Sequence, residues 1–144
     1  MEKAVVIDID GVILDTSNID DKNWDFFNKN CNNDDIKPFK GIKQFLNSFD
    51  RDVNIIISTA RNEFIRSQTA RKLWKYRIYF DDMYMRSYND LRADFEIKKD
   101  HLNEITKKYD VICFIDDNEK NCKIAQELNI LTFSTTKRSN NAVR

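Results

Sequence analysis

The sequence predicts an α/β fold, a three-layer αβα sandwich built on a mainly parallel sheet. Three observations support this fold class: short apolar runs rich in β-branched residues, amphipathic stretches between them, and acidic or hydroxyl residues directly after the runs. Apolar strands that alternate with helices are typical of βα units, whose parallel strands are buried on both faces. Right-handed crossovers then place helices on both sides of the sheet, as in a Rossmann-like fold.

Short apolar runs predict the strands of this sheet. The first is residues 4–7 (AVVI), which is too short for a helix and rich in β-branched residues. Residues 53–57 (VNIII) and 111–115 (VICFI) repeat the pattern, and residues 130–133 (ILTF) form a shorter version. A further strand is expected within residues 78–86, so the sheet should have five strands.

Amphipathic segments between the runs predict the helices. Residues 42–49 carry apolar side chains at the i, i+3, i+4 and i+7 positions of one helical stripe. We expect a short helix around Trp24, a basic helix over residues 64–74, a helix that begins at Asp94, and a last helix over residues 118–128. The expected inner face of the helix from Asp94 consists of Phe95, Ile97, Leu102 and Ile105.

Length and composition indicate one soluble domain. Of the 144 residues, 41% are hydrophobic, and 24 Lys and Arg balance 24 Asp and Glu, so net charge identifies no partner. Residues 1–134 are expected to form a single domain, followed by a polar tail, 135–144, that frays.

No apolar run reaches the roughly 18 residues of a membrane span, so no membrane association is expected. Cys31, Cys113 and Cys122 lack zinc-type spacing and indicate reduced thiols in a cytoplasmic protein.

Polar side chains follow three of the predicted strands. Asp8, Asp10 and Gly11 follow the first strand, Thr59 and Arg61 follow the second, and Asp116 and Asp117 follow the third. Ligands of open α/β sheets bind outside the carboxyl ends of the strands, so these side chains are expected to meet at one edge. Carboxylates that are brought together repel one another unless a cation lies among them, and hard oxygen donors favour Mg²⁺.

Asp8 and Asp10 have the chemistry for phosphoryl transfer at such a magnesium site. One aspartate can attack phosphorus and form an aspartyl phosphate. The other can protonate the leaving alkoxide and then activate water. Gly11 lets the chain turn sharply after the strand. An isolated Asp-x-Asp-Gly is also typical of an acidic turn or a calcium loop, so the other motifs decide between these interpretations.

Four motifs in this order resemble those of the haloacid dehalogenase (HAD) superfamily. The matching elements are residues 8–15 (DIDGVILD), residues 55–59 (IIIST), a lysine ahead of the last motif, and the pair Asp116-Asp117. The best candidate for the lysine is Lys98, and its competitor is Lys99. The order and spacing agree over about residues 3–134 and imply a HAD fold without a cap domain, because only short inserts follow the first and second motifs.

A narrower resemblance is to the 3'-phosphatase domain of phage-type polynucleotide kinase–phosphatases. Residues 59–61 (TAR) resemble the (T/S)-(G/A)-R of that family, and residues 92–98 (RADFEIK) resemble its RxDxxxK segment. The second match favours Lys98 over Lys99, and the first favours Thr59 over Ser58. The family also carries an arginine soon after the first motif, where this sequence has TSNID.

The resemblance implies a role for each catalytic residue. Asp8 is expected to be the nucleophile, Asp10 the general acid/base, and Thr59 a hydrogen-bond donor to a phosphoryl oxygen. The ammonium group of Lys98 is expected to offset the charge of Asp8. The expected magnesium ligands are Asp8, the main-chain carbonyl of Asp10, Asp116 and Asp117.

The resemblance also implies a set of residues that bind the substrate or its phosphate. These are Gly11, Thr59, Arg61, Arg92 and Asp94. Arg61 is expected to contact phosphate or substrate, and Asp94 is expected to orient Lys98. Two roles stay open for Arg92, a contact with substrate and an ion pair with Asp94.

The implied function is magnesium-dependent removal of a 3'-phosphate from a nucleotide or polynucleotide end. An open, capless site admits a polymer end, although a homo-oligomer can also close such a site. The sequence contains no G-x-x-x-x-G-K-[ST], so a stand-alone phosphatase is expected. Two alternatives stay open, a small-molecule phosphatase such as a 5'-nucleotidase and a catalytically silent HAD module that binds phosphate or a partner.

Two further features carry weaker expectations. The basic stretch 61–77 can steer a polyanion, although a solvated helix face is the commoner explanation for such charge. His101, the single histidine, has no matching partner in the motifs and is expected at the surface.

Overall fold

A five-stranded parallel sheet forms the centre of the computed structural model, which describes residues 1–135. Its strands are β1 (Lys3–Ile7), β4 (Val53–Asn62), β5 (Asp82–Arg86), β6 (Asp110–Asp116) and β7 (Thr132–Ser134). They lie in the order β5-β4-β1-β6-β7, and every neighbouring pair is parallel. Two short segments, β2 (Leu14–Asp15) and β3 (Lys37–Pro38), form a separate antiparallel pair that the sequence did not predict.

Within the described residues, five α-helices connect these strands. They are α1 (Trp24–Asn30), α2 (Ile42–Asn47), α3 (Arg66–Lys75), α4 (Asp94–Lys108) and α5 (Glu119–Glu127). A single 3₁₀ turn, Glu63–Ile65, precedes α3. Side chains cap two of the α-helices, because Asn23 accepts a hydrogen bond from the N–H of Phe26 and Asn118 accepts bonds from two N–H groups of α5.

The helices cover both faces of the sheet, which confirms the predicted three-layer sandwich. On one face, Val5 and Ile7 of β1 pack into a core with side chains of α1, α2 and α3. On the other face, Ala4 and Val6 pack into a core with side chains of α4 and α5. This alternation explains why β1 reads as a continuous apolar run, since a strand between two helical layers is buried on both sides.

The strand expected within residues 78–86 is confirmed as β5, Asp82–Arg86, and before it the N–H of Ile78 bonds to the carbonyl of Leu73 at the end of α3. The structure differs from the sequence predictions at two places. Strand β4 continues to Asn62, which pairs with Arg86 of β5 across an irregularity, so the polar residues after position 57 lie on the strand itself. Phe95, predicted on the inner face of α4, is exposed in the first turn of that helix.

The strand order positions the candidate site. Strands β4, β1 and β6 are neighbours, and their carboxyl ends meet at one edge of the sheet. Between β4 and β5, the described chain forms only the 3₁₀ turn and α3. Between β2 and β3, it forms α1. Most of the predicted tail, residues 136–144, lies outside the described residues. None of the helices within residues 1–135 combines the length and apolar character needed to cross a lipid bilayer.

Candidate active site

An acidic cluster lies at the ends of β1 and β6, and it is formed by the buried Asp8 and Asp116 and the half-buried Asp117. Lys98 of α4 inserts into it, with its Nζ 2.9 Å from Oδ1 of Asp8 and 3.0 Å from Oδ2 of Asp116. The side chain of Lys98 is only 1% exposed, whereas Lys99 is exposed on the same helix. Of the two candidate lysines, Lys98 is therefore the one that the fold brings to the carboxylates.

The charges of the acidic cluster are strongly coupled. Burial raises the pKa of Asp8 well above its ordinary value, the nearby Asp116 raises it further, and Lys98 offsets only part of this. Burial opposes the positive charge of Lys98, yet Asp116 and Asp8 together raise its pKa. Lys98 also donates a hydrogen bond to the backbone carbonyl of Ser58 in β4, which ties the ammonium group to a third element.

The donor set of the acidic cluster fits a magnesium ion. One carboxylate oxygen from each of Asp8, Asp116 and Asp117 lies within 4.8 Å of the others. These are hard oxygen donors, and their negative charge exceeds that of the one ammonium group among them. The N–H of Asn118 donates to Oδ1 of Asp116 at 3.0 Å, and the amide of Asn121 lies 3.3 Å from both oxygens of that carboxylate, so Asp116 is held in orientation.

Gly11 is required by the close approach of Asp117. A Cβ at position 11 would lie 2.1 Å from Oδ2 of Asp117, a distance that no side chain can adopt. The residue also has φ of +83°, a conformation that other residues rarely adopt. Its N–H donates to the carbonyl of Leu14 and its carbonyl accepts from the hydroxyl of Thr135. The sharp turn predicted after β1 thus leaves room for the carboxylate of Asp117 beside the end of β1.

A second set of contacts, the arginine network, holds Asp10. Arg61 makes a bidentate ion pair with it, with Nε 3.0 Å from Oδ2 and Nη2 2.8 Å from Oδ1. The other N–H groups of Arg61 donate to the carbonyl of Cys31, to Oδ1 of Asn32 and to the hydroxyl of Thr69. All five guanidinium donors are used, and the side chain of Arg61 has no exposed surface.

Arg61 and Thr59 make contacts that the sequence analysis did not predict. Arg61 is expected to contact phosphate or substrate, and here its guanidinium binds the Asp10 carboxylate because β4 continues to Asn62 and directs Arg61 into the interior. Thr59 is fully buried, and its hydroxyl accepts a hydrogen bond from the N–H of Arg61. The proposed bond from Thr59 to a phosphoryl oxygen stays a prediction.

Asp94 and Arg92 do not pair with each other, and Asp94 is held by a residue that the sequence analysis missed. Arg86, at the end of β5, donates to Oδ1 of Asp94 at 2.7 Å and to the carbonyl oxygens of Ala60, Asp90 and Arg92. Arg92 itself pairs with Asp90 and Asp100 at the surface. Arg86 is the last residue of the strand predicted within residues 78–86, and that strand ends at the same edge of the sheet as the motifs. This position is the signal that could have identified Arg86.

His101 was expected at the surface, and the structure shows that this is wrong. The residue is 7% exposed and its ring contacts both β4 and β5, with Nδ1 2.8 Å from the hydroxyl of Ser58 and Nε2 3.1 Å from the carbonyl of Met85. Burial, with a smaller effect of Lys98, lowers its pKa to about 4. His101 lies three positions after Lys98 on the helix stripe that also carries Leu102 and Ile105, a spacing that predicts burial.

Comparison with known proteins agrees with this geometry. Residues 2–138 match the family described as the polynucleotide kinase PNKP phosphatase domain. No curated protein matches the chain. Two solved structures of the Pnkp1/Rnl/Hen1 complex, one described as an RNA repair complex, are similar to it, with TM-scores of 0.80 and 0.81 and identities of 28% and 27%. The matches cover 94% and 96% of this chain but 43% and 47% of those chains, so this chain spans less than half their length.

More distant structures share the fold. A haloacid dehalogenase-like hydrolase from Streptococcus pneumoniae has a TM-score of 0.60 at 15% identity, over 91% of this chain and 83% of its own. A HAD family enzyme from Bacteroides thetaiotaomicron, solved as a magnesium complex, has a TM-score of 0.53 at 16% identity, over 99% of this chain and 97% of its own. At such low identity the likeness supports the HAD fold alone.

Proposed function

We propose that this chain, which belongs to the family of polynucleotide kinase PNKP phosphatase domains within the HAD superfamily, is a magnesium-dependent phosphatase that removes 3'-phosphates from nucleotide or polynucleotide ends. One observation carries the proposal: Lys98 joins Asp8 to Asp116 in the acidic cluster at the edge of the sheet. A buried carboxylate beside a lysine and two further carboxylates is suited to accept a phosphoryl group. The negative charge of that group would be stabilised by two cations, the ammonium group of Lys98 and a metal ion held by the carboxylates.

In the first step, an oxygen of Asp8 attacks phosphorus and the bond from phosphorus to the 3'-oxygen breaks. The N–H of Ile9 and the ammonium group of Lys98 both donate to Oδ1 of Asp8, so we assign the attack to Oδ2. Asp10 donates its proton to the leaving 3'-oxygen. The products of this step are the free 3'-hydroxyl and an aspartyl phosphate on Asp8.

In the second step, water attacks the phosphorus of the aspartyl phosphate and gives its proton to Asp10. The bond between Asp8 and phosphorus breaks, which releases inorganic phosphate and restores both carboxyl groups. Arg61 holds the side chain of Asp10 in place, with the bidentate ion pair present when Asp10 is ionised and accepts the proton of water, and Lys98 offsets the charge of Asp8. Bound magnesium would neutralise phosphoryl oxygens, and the residues that fit it are Asp8, Asp116, Asp117 and the main-chain carbonyl of Asp10.

The assignment of a nucleic-acid end as substrate has two supports. The matched family is named for a polynucleotide kinase, and the two similar complexes include one described as an RNA repair complex. Within residues 1–135, the segments before and after β4 add only the short β2–β3 pair, α1, α2, the 3₁₀ turn and α3, which is consistent with access for a polymer.

The test is release of inorganic phosphate by the purified protein with Mg²⁺. The substrates are a 3'-phosphorylated oligonucleotide, the same oligonucleotide with a 5'-phosphate, and nucleoside 3'- and 5'-monophosphates. We expect release from the 3'-phosphorylated oligonucleotide, and loss of release when a chelator removes the metal. A variant Asp8→Asn, purified in the same way, excludes a contaminating phosphatase.

Other results would select the alternatives. Activity confined to monomers, above all to the 5'-monophosphates, would indicate a small-molecule nucleotidase. No release from any substrate by the folded protein would indicate a silent module. In both cases the proposed polynucleotide 3'-phosphatase is wrong.

A further inference from the structure

Three lysine side chains, outside the acidic cluster and the arginine network, converge on one tyrosine. The Nζ atoms of Lys37, Lys72 and Lys75 lie 6.0, 5.5 and 5.9 Å from the ring centroid of Tyr76. Lys37 is in β3, whereas Lys72 and Lys75 are one turn apart on α3. We call these three residues the basic cluster. Elements distant in sequence thus deliver three positive charges to one place.

Nearby negative groups balance only part of the positive charge of the basic cluster. A tyrosine ring has two faces, so it cannot offer a full cation–π contact to three ammonium groups. Lys72 donates to the carbonyl of Asn33, which carries no formal charge, and Lys75 approaches Asp34 only to 3.8 Å. That Asp34 side chain is 98% exposed, so its attraction is strongly screened by water. Burial, together with Lys75 and Lys37, lowers the pKa of Lys72.

The basic cluster is continuous with the arginine network through four consecutive residues, 31–34. The carbonyl of Cys31 and the side chain of Asn32 bind Arg61, the carbonyl of Asn33 binds Lys72, and Asp34 pairs with Lys75. Two residues of extended chain span at most about 7 Å. The basic cluster and the arginine network that holds Asp10 therefore contact the same short segment of chain.

From this placement we infer that Lys37, Lys72 and Lys75 bind the sugar–phosphate backbone of a nucleic-acid strand whose 3'-end lies at Asp8 and Asp10. Convergent cations are stabilised by an anion, for the same reason that the acidic cluster is stabilised by a metal ion. The inference rests on the proposed function and adds a preference for polymers over monomers.

The experiment compares 3'-phosphorylated single strands of 2 and 12 nucleotides at several salt concentrations. For the wild-type protein we expect a lower KM for the longer strand, and a KM that rises with salt. In the exposed-site variants Lys37→Gln and Lys75→Gln, we expect a higher KM for the 12-mer and an unchanged kcat, with the KM for the 2-mer unchanged. Each substitution should lower the slope of log KM against log salt by about 0.7.

Two control variants separate the basic cluster from general surface charge. Arg71→Gln removes an exposed cation from the same helix, and Lys123→Gln removes one from α5 on the other face of the sheet. Both should leave the KM for the 12-mer within about twofold of the wild-type value. An equal effect of Arg71→Gln, or no effect of the two cluster variants on the 12-mer, would overturn the inference.

A binding measurement keeps this inference separate from the proposed function. If the wild-type protein releases no phosphate from either strand, the proposed activity is wrong, and fluorescence anisotropy of a labelled 12-mer then tests the cluster alone. Weaker binding by Lys37→Gln and Lys75→Gln, but not by Arg71→Gln, would support the backbone site without the activity. Equal binding by all of them would overturn it, as expected if the cluster serves an acidic protein instead.

Discussion

The two aspartates of the first motif are neutralised in different ways, although only one residue separates them. Asp8 belongs to the acidic cluster, where the ammonium group of Lys98 contacts two of three carboxylates, those of Asp8 and Asp116. Asp10 belongs to the arginine network, where one carboxylate meets one guanidinium with two hydrogen bonds. The first set of charges is unbalanced and mostly buried, whereas the second is balanced and uses all five donors of Arg61.

This difference indicates that the acidic cluster is suited to bind ligands, whereas the arginine network fixes the position of Asp10. An excess of carboxylates is stabilised by a metal ion and by the phosphoryl group that the ion binds, so the acidic cluster is suited to change its partners during a reaction. A balanced bidentate pair gains nothing from a further ion and costs free energy when it is broken. We therefore expect substitutions in the acidic cluster to act on chemistry, and those in the arginine network to act on stability and chemistry together.

The largest effect is expected for Asp8→Asn, which keeps the shape of the side chain and removes the nucleophile. We expect kcat to fall by roughly 10⁴-fold or more, the scale seen when enzymes lose a nucleophile. The fold should not be weakened. Because burial and Asp116 raise the pKa of Asp8, ionised Asp8 costs stability above that pKa, and asparagine carries no charge. Phosphate release and thermal unfolding at pH 7 without metal test both expectations.

Lys98→Met is the matched variant for the same cluster. It leaves Asp8 and Asp116 buried without their cation, so we expect both the activity and about 3–5 kcal/mol of stability to be lost. Retained turnover in Asp8→Asn would contradict the proposal that the acidic cluster changes its partners during the reaction. A loss of stability in Asp8→Asn as large as that in Lys98→Met would contradict it as well.

A smaller loss of activity, about 10²-fold in kcat, is expected for Arg61→Lys. Lysine keeps the charge but cannot bind Asp10 bidentately or reach Asn32 and Thr69 at the same time. The link between α3 and the chain after α1 is therefore weakened, and we expect a loss of about 3–5 kcal/mol in urea unfolding. The exposed Arg71→Lys on α3 serves as a control.

The kinetic pattern of Arg61→Lys also tests the role that the resemblance implies. A variant that kept its stability and kcat but raised KM would show that Arg61 contacts the substrate and leaves Asp10 on binding. A loss of kcat with a nearly unchanged KM would agree with an arginine that orients the general acid/base.

Strand periodicity and motif spacing predicted most of the fold and the position of the acidic cluster. Apolar runs buried on both faces identify parallel strands, and carboxylates that end neighbouring strands must meet at one edge. The RxDxxxK spacing also indicated Lys98, and α4 brings this lysine rather than Lys99 to the carboxylates. These features are local in sequence, so a pattern of a few residues defines them.

The partners of the arginines could not be read from the sequence, because they depend on contacts between distant residues. Arg61 binds residues 31 and 32, about 30 positions earlier, and Arg86 rather than Arg92 reaches Asp94. Which of two nearby arginines turns inward is decided by the exact end of a strand, and strand ends are the least predictable feature of a sequence. His101 was different, because its helix spacing from Lys98 predicted burial and only the lack of a partner argued otherwise.

The smallest effect is expected at His101, which connects the acidic cluster to the sheet through Ser58. The carbonyl of Met85 can only accept, so Nε2 carries the proton and Nδ1 accepts from the hydroxyl of Ser58, whose own carbonyl binds Lys98. His101→Asn keeps an acceptor near Nδ1, and His101→Gln keeps a donor near Nε2. We expect the asparagine variant to stay within a few-fold of wild-type kcat and the glutamine variant to lose about 10-fold, or about 1.4 kcal/mol.

The pH dependence of stability gives an independent test of the same residue. The pKa of His101 is lowered from 6.5 to about 4, so the neutral ring favours the folded state. Its contribution is complete above pH 6.5 and is lost as the pH falls towards 4, because the unfolded chain binds the proton first. Between pH 7 and pH 4, the free energy of unfolding measured with urea should therefore fall more steeply for the wild type than for either variant. Equal slopes would mean that His101 is solvated, and equal kcat values for the two variants would mean that it does not position Lys98.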